Sequence, residues 1–158
     1  MSAGAGARRE AGMRGEAQAL HAEPRPSGRE LVLAWLPAAL YMTSIWMVSS
    51  FDTPSFPTSL FPLRDKGVHA LEYGVLGFLV AHACLRSFPH HARPRVALFA
   101  ILCGVLWGVL DEIHQAFVPG RSADVLDLVA DSVGVTLGTL ARALTRVLRP
   151  RPPEATSP

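Results

Sequence analysis

From Leu31 to Phe51 the chain reads LVLAWLPAALYMTSIWMVSSF, 21 residues without one charged side chain. This run constrains the fold more than any other feature. At about 1.5 Å of rise per residue it spans the ~30 Å hydrocarbon layer of a bilayer. A surface helix of a soluble bundle needs a polar face, and this segment has none. A signal peptide fits poorly: the run is too long, it lies behind a polar stretch, and no A-x-A cleavage site follows. Pro37 sits inside it, where a kink is expected. Trp35, Tyr41 and Trp46 have the chemistry of membrane-interface anchors.

Three more apolar stretches follow, and the helices are expected at about 31–50, 66–85, 96–117 and 125–148. Together they make one membrane domain over residues 31–148. Residues 1–30 are rich in Ala, Gly, Arg and Glu, carry no apolar period, and read as a disordered tail. A weak helix over roughly 7–22 is the alternative. Residues 149–158 form a second, Pro-rich tail. Composition agrees: 49% of residues are hydrophobic and 18% charged, against about 25% charged in ordinary soluble domains. Two cysteines exclude a disulfide framework. A net charge of +2 gives no case for a nucleic-acid partner. The fold class is therefore all-α: a polytopic transmembrane four-helix bundle.

Positive charge sets the orientation of such a bundle. Arg25, Arg29, Arg86, Arg93, Arg95, Arg142, Arg146, Arg149 and Arg151 fall on one side, against Arg64, Lys66 and Arg121 on the other. Both termini are expected in the cytoplasm (N-in/C-in), with loops 52–64 and 118–124 outside.

That orientation gathers three separated polar clusters at the outer face. On a helical step of about 100°, Asp65, Lys66, His69, Glu72 and Tyr73 share one arc of the second helix. Gly104, Gly108, Asp111 and Gln115 share a stripe of the third, with Glu112 on its edge. Asp124, Asp127, Asp131, Gly134 and Gly138 share a stripe of the fourth. The G-x-x-x-G pairs Gly104/Gly108 and Gly134/Gly138 suit close helix packing. The simplest packing sets these two stripes together, so that the acids face a shared cavity. Seven acids (Asp65, Glu72, Asp111, Glu112, Asp124, Asp127, Asp131) stand against Lys66 and Arg121, a net of −5 with the histidines neutral. Charge at membrane depth is costly, so protonated acids or a bound cationic group are expected.

The motifs Asp65-Lys66-x-x-His69-x-x-x-Tyr73, Asp111-Glu112-Ile113-His114-Gln115, Val118-Pro119-Gly120-Arg121-Ser122 and Asp127-x-x-x-Asp131-x-x-Gly134 closely resemble the VanZ-like family of small bacterial membrane proteins. The resemblance covers roughly residues 35–145. Many members carry Asn at the position of Asp131. The family is named for a protein linked to resistance against the glycopeptide teicoplanin and has no settled reaction. The resemblance implies a multi-pass protein of the bacterial cytoplasmic membrane with a role in the cell envelope.

The candidate ligand-facing residues are Lys66, His69, Glu72, Tyr73, Glu112, Gln115, Arg121, Asp127 and Asp131. Lys66 offers an ammonium, His69 a titratable imidazole and Tyr73 a phenol; the plainer alternative is snorkelling and packing. Glu112 is a cavity carboxylate or a solvated helix end. Arg121 pairs with Glu112 or Asp124, or contacts lipid phosphate. Asp124 is expected to cap the fourth helix. Asp131 lies about 10 Å further along, too deep for that role. Asp111 and His114 are expected at a solvated end. Cys84 and Cys103 read as packing residues. His69-x-x-Glu72, with Glu112, His114 and Asp127, offers N/O donors for a metal as the alternative, but no spacing matches a standard zinc signature, so neither metal nor cofactor is expected.

Three functions are in play. The leading one is non-enzymatic: the outer layer binds an anionic or amphipathic envelope component, besides membrane lipid, and affects glycopeptide action. The second is an enzyme acting on a lipid-linked phosphate or sugar, with a carboxylate or histidine as acid/base. The third is a small proton or cation pathway, ranked last because the cytoplasmic halves of the second and third helices offer only His82. Nothing in the sequence sets the oligomeric state.

Overall fold

The computed structural model describes residues 25–51 and 62–147. The readings made for residues 1–24, loop 52–61, the tail from 149 and the Asp65 side chain lie outside the described residues. Among the described residues there are four helices and no strand: α1 Gly28–Ser49, α2 Pro62–Ser87, α3 Arg93–Gln115 and α4 Val125–Val147.

Helix α1 begins three residues before the uncharged run. Ser27 caps it: the Glu30 N–H donates to Ser27 Oγ at 3.3 Å, and the Ser27 N–H donates to Glu30 Oε2 at 2.8 Å. This reciprocal box satisfies two backbone donors that a helix start leaves open. It takes Gly28, Arg29 and Glu30 out of the expected tail. The helix continues through Pro37. Helix α3 stops at Gln115, two residues short of expectation. The chain then turns over Val118–Arg121, where the Arg121 N–H donates to Val118 O at 3.1 Å. Gly120 has φ 83°, the left-handed geometry that a Pro-Gly type II turn demands.

Three helices are long and apolar enough to cross a membrane: α1, α2 from Lys66, and α3. Helix α4 carries Asp127, Asp131 and Arg142, yet it lies against α2 through the same depth. Lys66 meets Asp127 at one end, and Arg142 Nε donates to His82 Nδ1 at 3.2 Å near the other. The two helices therefore run parallel. Large apolar side chains face outward on every helix, among them Leu40, Met47, Leu71, Leu102, Leu106, Val133 and Leu137. Apolar exposure on this scale is foreign to a soluble monomer and suits contact with lipid. The interior is built around Ala38, Tyr73, Leu76, Val80, Cys84, Ala100 and Val135.

Glycine sets the closest contact, but not between the helices expected. A methyl group on Gly134 would overlap the Ala70 carbonyl, one on Gly138 the Gly74 carbonyl, and one on Gly77 the Val135 backbone. The α4 glycines thus lie on α2, backbone to backbone. The α3 glycines take side chains instead. Val135 fills the place of a Gly104 side chain, and the Tyr73 ring edge would stand 3.2 Å from a Cβ on Gly108. The two G-x-x-x-G stripes therefore do not face each other. Trp35 and Tyr41 turn toward α2 rather than toward headgroups: Trp35 Nε1 donates to Ser87 Oγ at 2.9 Å, and Tyr41 OH to Glu72 O at 3.3 Å.

Candidate functional site

Alternating helix direction brings the ends of α1 and α3 together with the starts of α2 and α4. The buried polar residues Ser49, Asp111, Glu112, Gln115, Asp127 and Asp131 collect at that end.

The rim is an ion-paired clamp. Lys66 Nζ donates to Asp124 Oδ2 at 2.6 Å and to Asp127 Oδ1 at 2.5 Å. Asp124 also caps α4, accepting the Leu126 N–H at 2.8 Å, while its own N–H donates to Glu112 Oε2 at 2.8 Å. The Lys66 ammonium, and secondarily the Leu126 N–H, hold the Asp124 carboxyl below the usual carboxylate range. Lys66 is thus engaged with protein carboxylates instead of reaching for headgroups.

One turn deeper, His69 stands between two acids of α4. Its Nδ1 lies 3.1 Å from Asp131 Oδ1 and its Nε2 3.8 Å from Asp127 Oδ1. Asp131 is 1% exposed. A carboxylate at Nδ1 favours the tautomer with the proton on that nitrogen. Asp131 also packs on Gly108 beside the Tyr73 ring.

Tyr73 links this pair to α3. Its hydroxyl donates to Asp111 Oδ2 at 3.3 Å, and the same oxygen accepts from Ser49 Oγ and Gln115 Nε2, each at 2.9 Å. Asp111 is 2% exposed, which overturns its placement at a solvated end. The hydroxyls of Ser49, at the end of α1, and Tyr73, with the Gln115 amide, hold it inside. His114 is also engaged: it stacks on Trp46 with ring centroids 4.0 Å apart and shares a 2.9 Å hydrogen bond with Ser50 Oγ. Ser49 was missed because nothing in an uncharged run marks a single hydroxyl as structural. Asp111 could have been found from its stripe: Val96, Ala100, Gly104, Gly108, Asp111 and Gln115 recur at helical spacing and are all buried.

The remaining candidates border this network. Glu112 is buried and bound to the α4 start. Glu72 and Arg121 are half-buried and within electrostatic reach of each other. Among the described residues, no group of three or more His, Cys, Asp or Glu is placed to hold a metal ion. Toward the other end the interior becomes apolar at Leu76, Val80, Ala83, Cys84 and Val135.

The model of the VanZ/LLP1 family matches residues 19–146. The chain belongs to the VanZ/LLP1 family. It is also 30% identical over 91 residues to an uncharacterized protein of Schizosaccharomyces pombe, covering 58% of this chain and 52% of that one. The chain thus spans about half the length of the curated relative it matches. No solved structure matches. The polar network, from Ser49 to Asp131, lies wholly inside the VanZ/LLP1 segment. Six described acids in it (Glu72, Asp111, Glu112, Asp124, Asp127, Asp131) face two bases, Lys66 and Arg121. The net charge is −4 with the histidines neutral, and this VanZ/LLP1 layer is therefore electrostatically suited to positive groups and hydrogen-bond donors.

Proposed function

We propose that this VanZ/LLP1 protein is a multi-pass protein of the bacterial cytoplasmic membrane whose outer polar layer binds an amphipathic envelope component. Both termini lie in the cytoplasm, by the arginine asymmetry. Binding there alters susceptibility to glycopeptides of the teicoplanin type, the part of the proposal that rests on family resemblance. The observation that carries binding is convergence. Side chains from four helices meet in one buried network at a depth where ionisable groups usually mark function. Lys66 is already neutralised by two carboxylates, so the network favours a headgroup rich in hydroxyl or amine donors over a bare anion.

The test is native mass spectrometry of the lipids that co-purify with the wild type, Glu112→Gln and Asp131→Asn. A bound species lost in either variant supports the proposal. Identical ligand profiles remove it.

One observation favours a second function. His69 held by a buried carboxylate at Nδ1 is the arrangement that readies an imidazole for acid/base chemistry. Turnover of a lipid-linked phosphate or sugar that disappears in His69→Gln, with folding intact, would establish an enzyme. Absence of turnover across a panel of such lipids would leave the binding function.

A further inference from the structure

Two buried polar atoms of opposite sense belong to α3 residues that both pack against α1. Trp107 and Asp111 are one turn apart on α3, so their side chains lie one above the other. The Trp107 ring meets Trp46 with centroids 5.7 Å apart, and Asp111 Oδ2 takes the Ser49 hydroxyl. Trp46 and Ser49 are themselves neighbours on one face of α1. The four side chains therefore share one patch of the α1–α3 seam.

Within that patch the Trp107 Nε1–H donor and the Asp111 Oδ1 acceptor are both buried, and neither has a hydrogen-bond partner among the described residues. The other Asp111 oxygen already accepts from three donors. Buried donors and acceptors are almost always satisfied, often by an internal water.

We propose that Trp107 Nε1 and Asp111 Oδ1 together bind one hydroxyl group. Its O–H donates to Asp111 Oδ1, and its oxygen accepts the Trp107 N–H. The pair selects a neutral group: a cation would meet the positive end of the indole N–H, and an anion would meet the carboxylate. One hydroxyl answers both atoms at once. The site lies on the α1 side of the bundle, apart from the α2–α4 ion pairs. The hydroxyl comes from an internal water or from a lipid polyol.

The test uses the full chain in lipid nanodiscs. Ultraviolet resonance Raman reports whether an indole N–H is hydrogen-bonded, and subtraction of the Trp107→Phe spectrum isolates Trp107 from Trp35 and Trp46. A hydrogen-bonded Trp107 N–H is expected, reverting to a free N–H in Asp111→Leu. Infrared spectra after exchange into H2 18O then separate the sources. An isotope-shifted O–H band missing in Trp107→Phe identifies water. A hydrogen-bonded N–H with no shifted band, lost on delipidation, identifies a lipid hydroxyl. A free Trp107 N–H in the wild type overturns the proposal and needs no Asp111 variant. So does a hydrogen-bonded N–H that neither isotope nor delipidation touches, since its partner is then the protein.

Discussion

His69 Nδ1 and Asp131 Oδ1 lie 3.1 Å apart across the α2–α4 contact, with Asp131 almost wholly shielded from solvent. Deep in a bundle such a pair is worth most as a shape-and-charge match, and its two halves respond differently to substitution. Asp131→Asn keeps an acceptor of the same size and should cost less than about 1 kcal/mol. Asp131→Leu removes the acceptor from the half-buried His69 imidazole and should cost about 1–3 kcal/mol. Unfolding in mixed micelles measures both. Equal losses would show that the hydrogen bond contributes nothing distinctive.

The glycines of α2 and α4 should separate sharply by position. Gly138→Ala puts a methyl into the Gly74 carbonyl and should destabilise by about 1–3 kcal/mol, despite the better helix propensity of alanine. Gly67→Ala meets nothing within 4 Å and should stabilise by about 0.4–1 kcal/mol through the unfolded chain. The same unfolding assay reads both signs.

The Lys66 clamp predicts acid sensitivity. Asp124 is held below its ordinary value in the folded protein, so its contribution is complete above the unfolded value of about 3.9. As pH falls below that value and through the lower folded one, the contribution is lost, because the unfolded chain takes up the proton first. Stability should thus rise with pH across this window. Lys66→Met should flatten the rise, and so should Asp124→Asn. A slope unchanged in both would remove the clamp from the account.

Orientation can be read with two engineered thiols in a Cys84→Ala, Cys103→Ala background. Ser122→Cys and Pro89→Cys both fall at exposed positions in opposite end loops. A membrane-impermeant maleimide applied to intact cells should label the Ser122→Cys protein and spare the Pro89→Cys protein until the membrane is opened. The reverse pattern would invert the bundle and move the polar layer to the cytoplasm.

Helix number was legible in the sequence because an uncharged run and three further apolar stretches obey simple length and periodicity rules. The start of α1 is also written in the Ser27-x-x-Glu30 capping signature, which lies outside the apolar run that defines the span. Periodicity places residues on a face without naming the helix that face will meet. Gly134 and Gly138 were read as a stripe, yet their partner is set by Ala70, Gly74 and Gly77 on α2, a small-residue series interrupted by large neighbours. Asp111 shows the same limit. Its stripe marks it as inward-facing, while its nearness to a helix end suggests water, and the arrival of Ser49 and Tyr73 from distant segments decides between them.

The residues that join α2 to α4 are 61 and 62 positions apart at Lys66–Asp127 and His69–Asp131. During synthesis α2 therefore enters the membrane long before its closest neighbour exists. Its small-residue groove and its Lys66 and His69 must wait in lipid, or against α1, until the last helix emerges. Maturation of the polar layer therefore waits on α4: a nascent chain truncated before it has all three helices that are long and apolar enough to span, but lacks the one that gathers their charges.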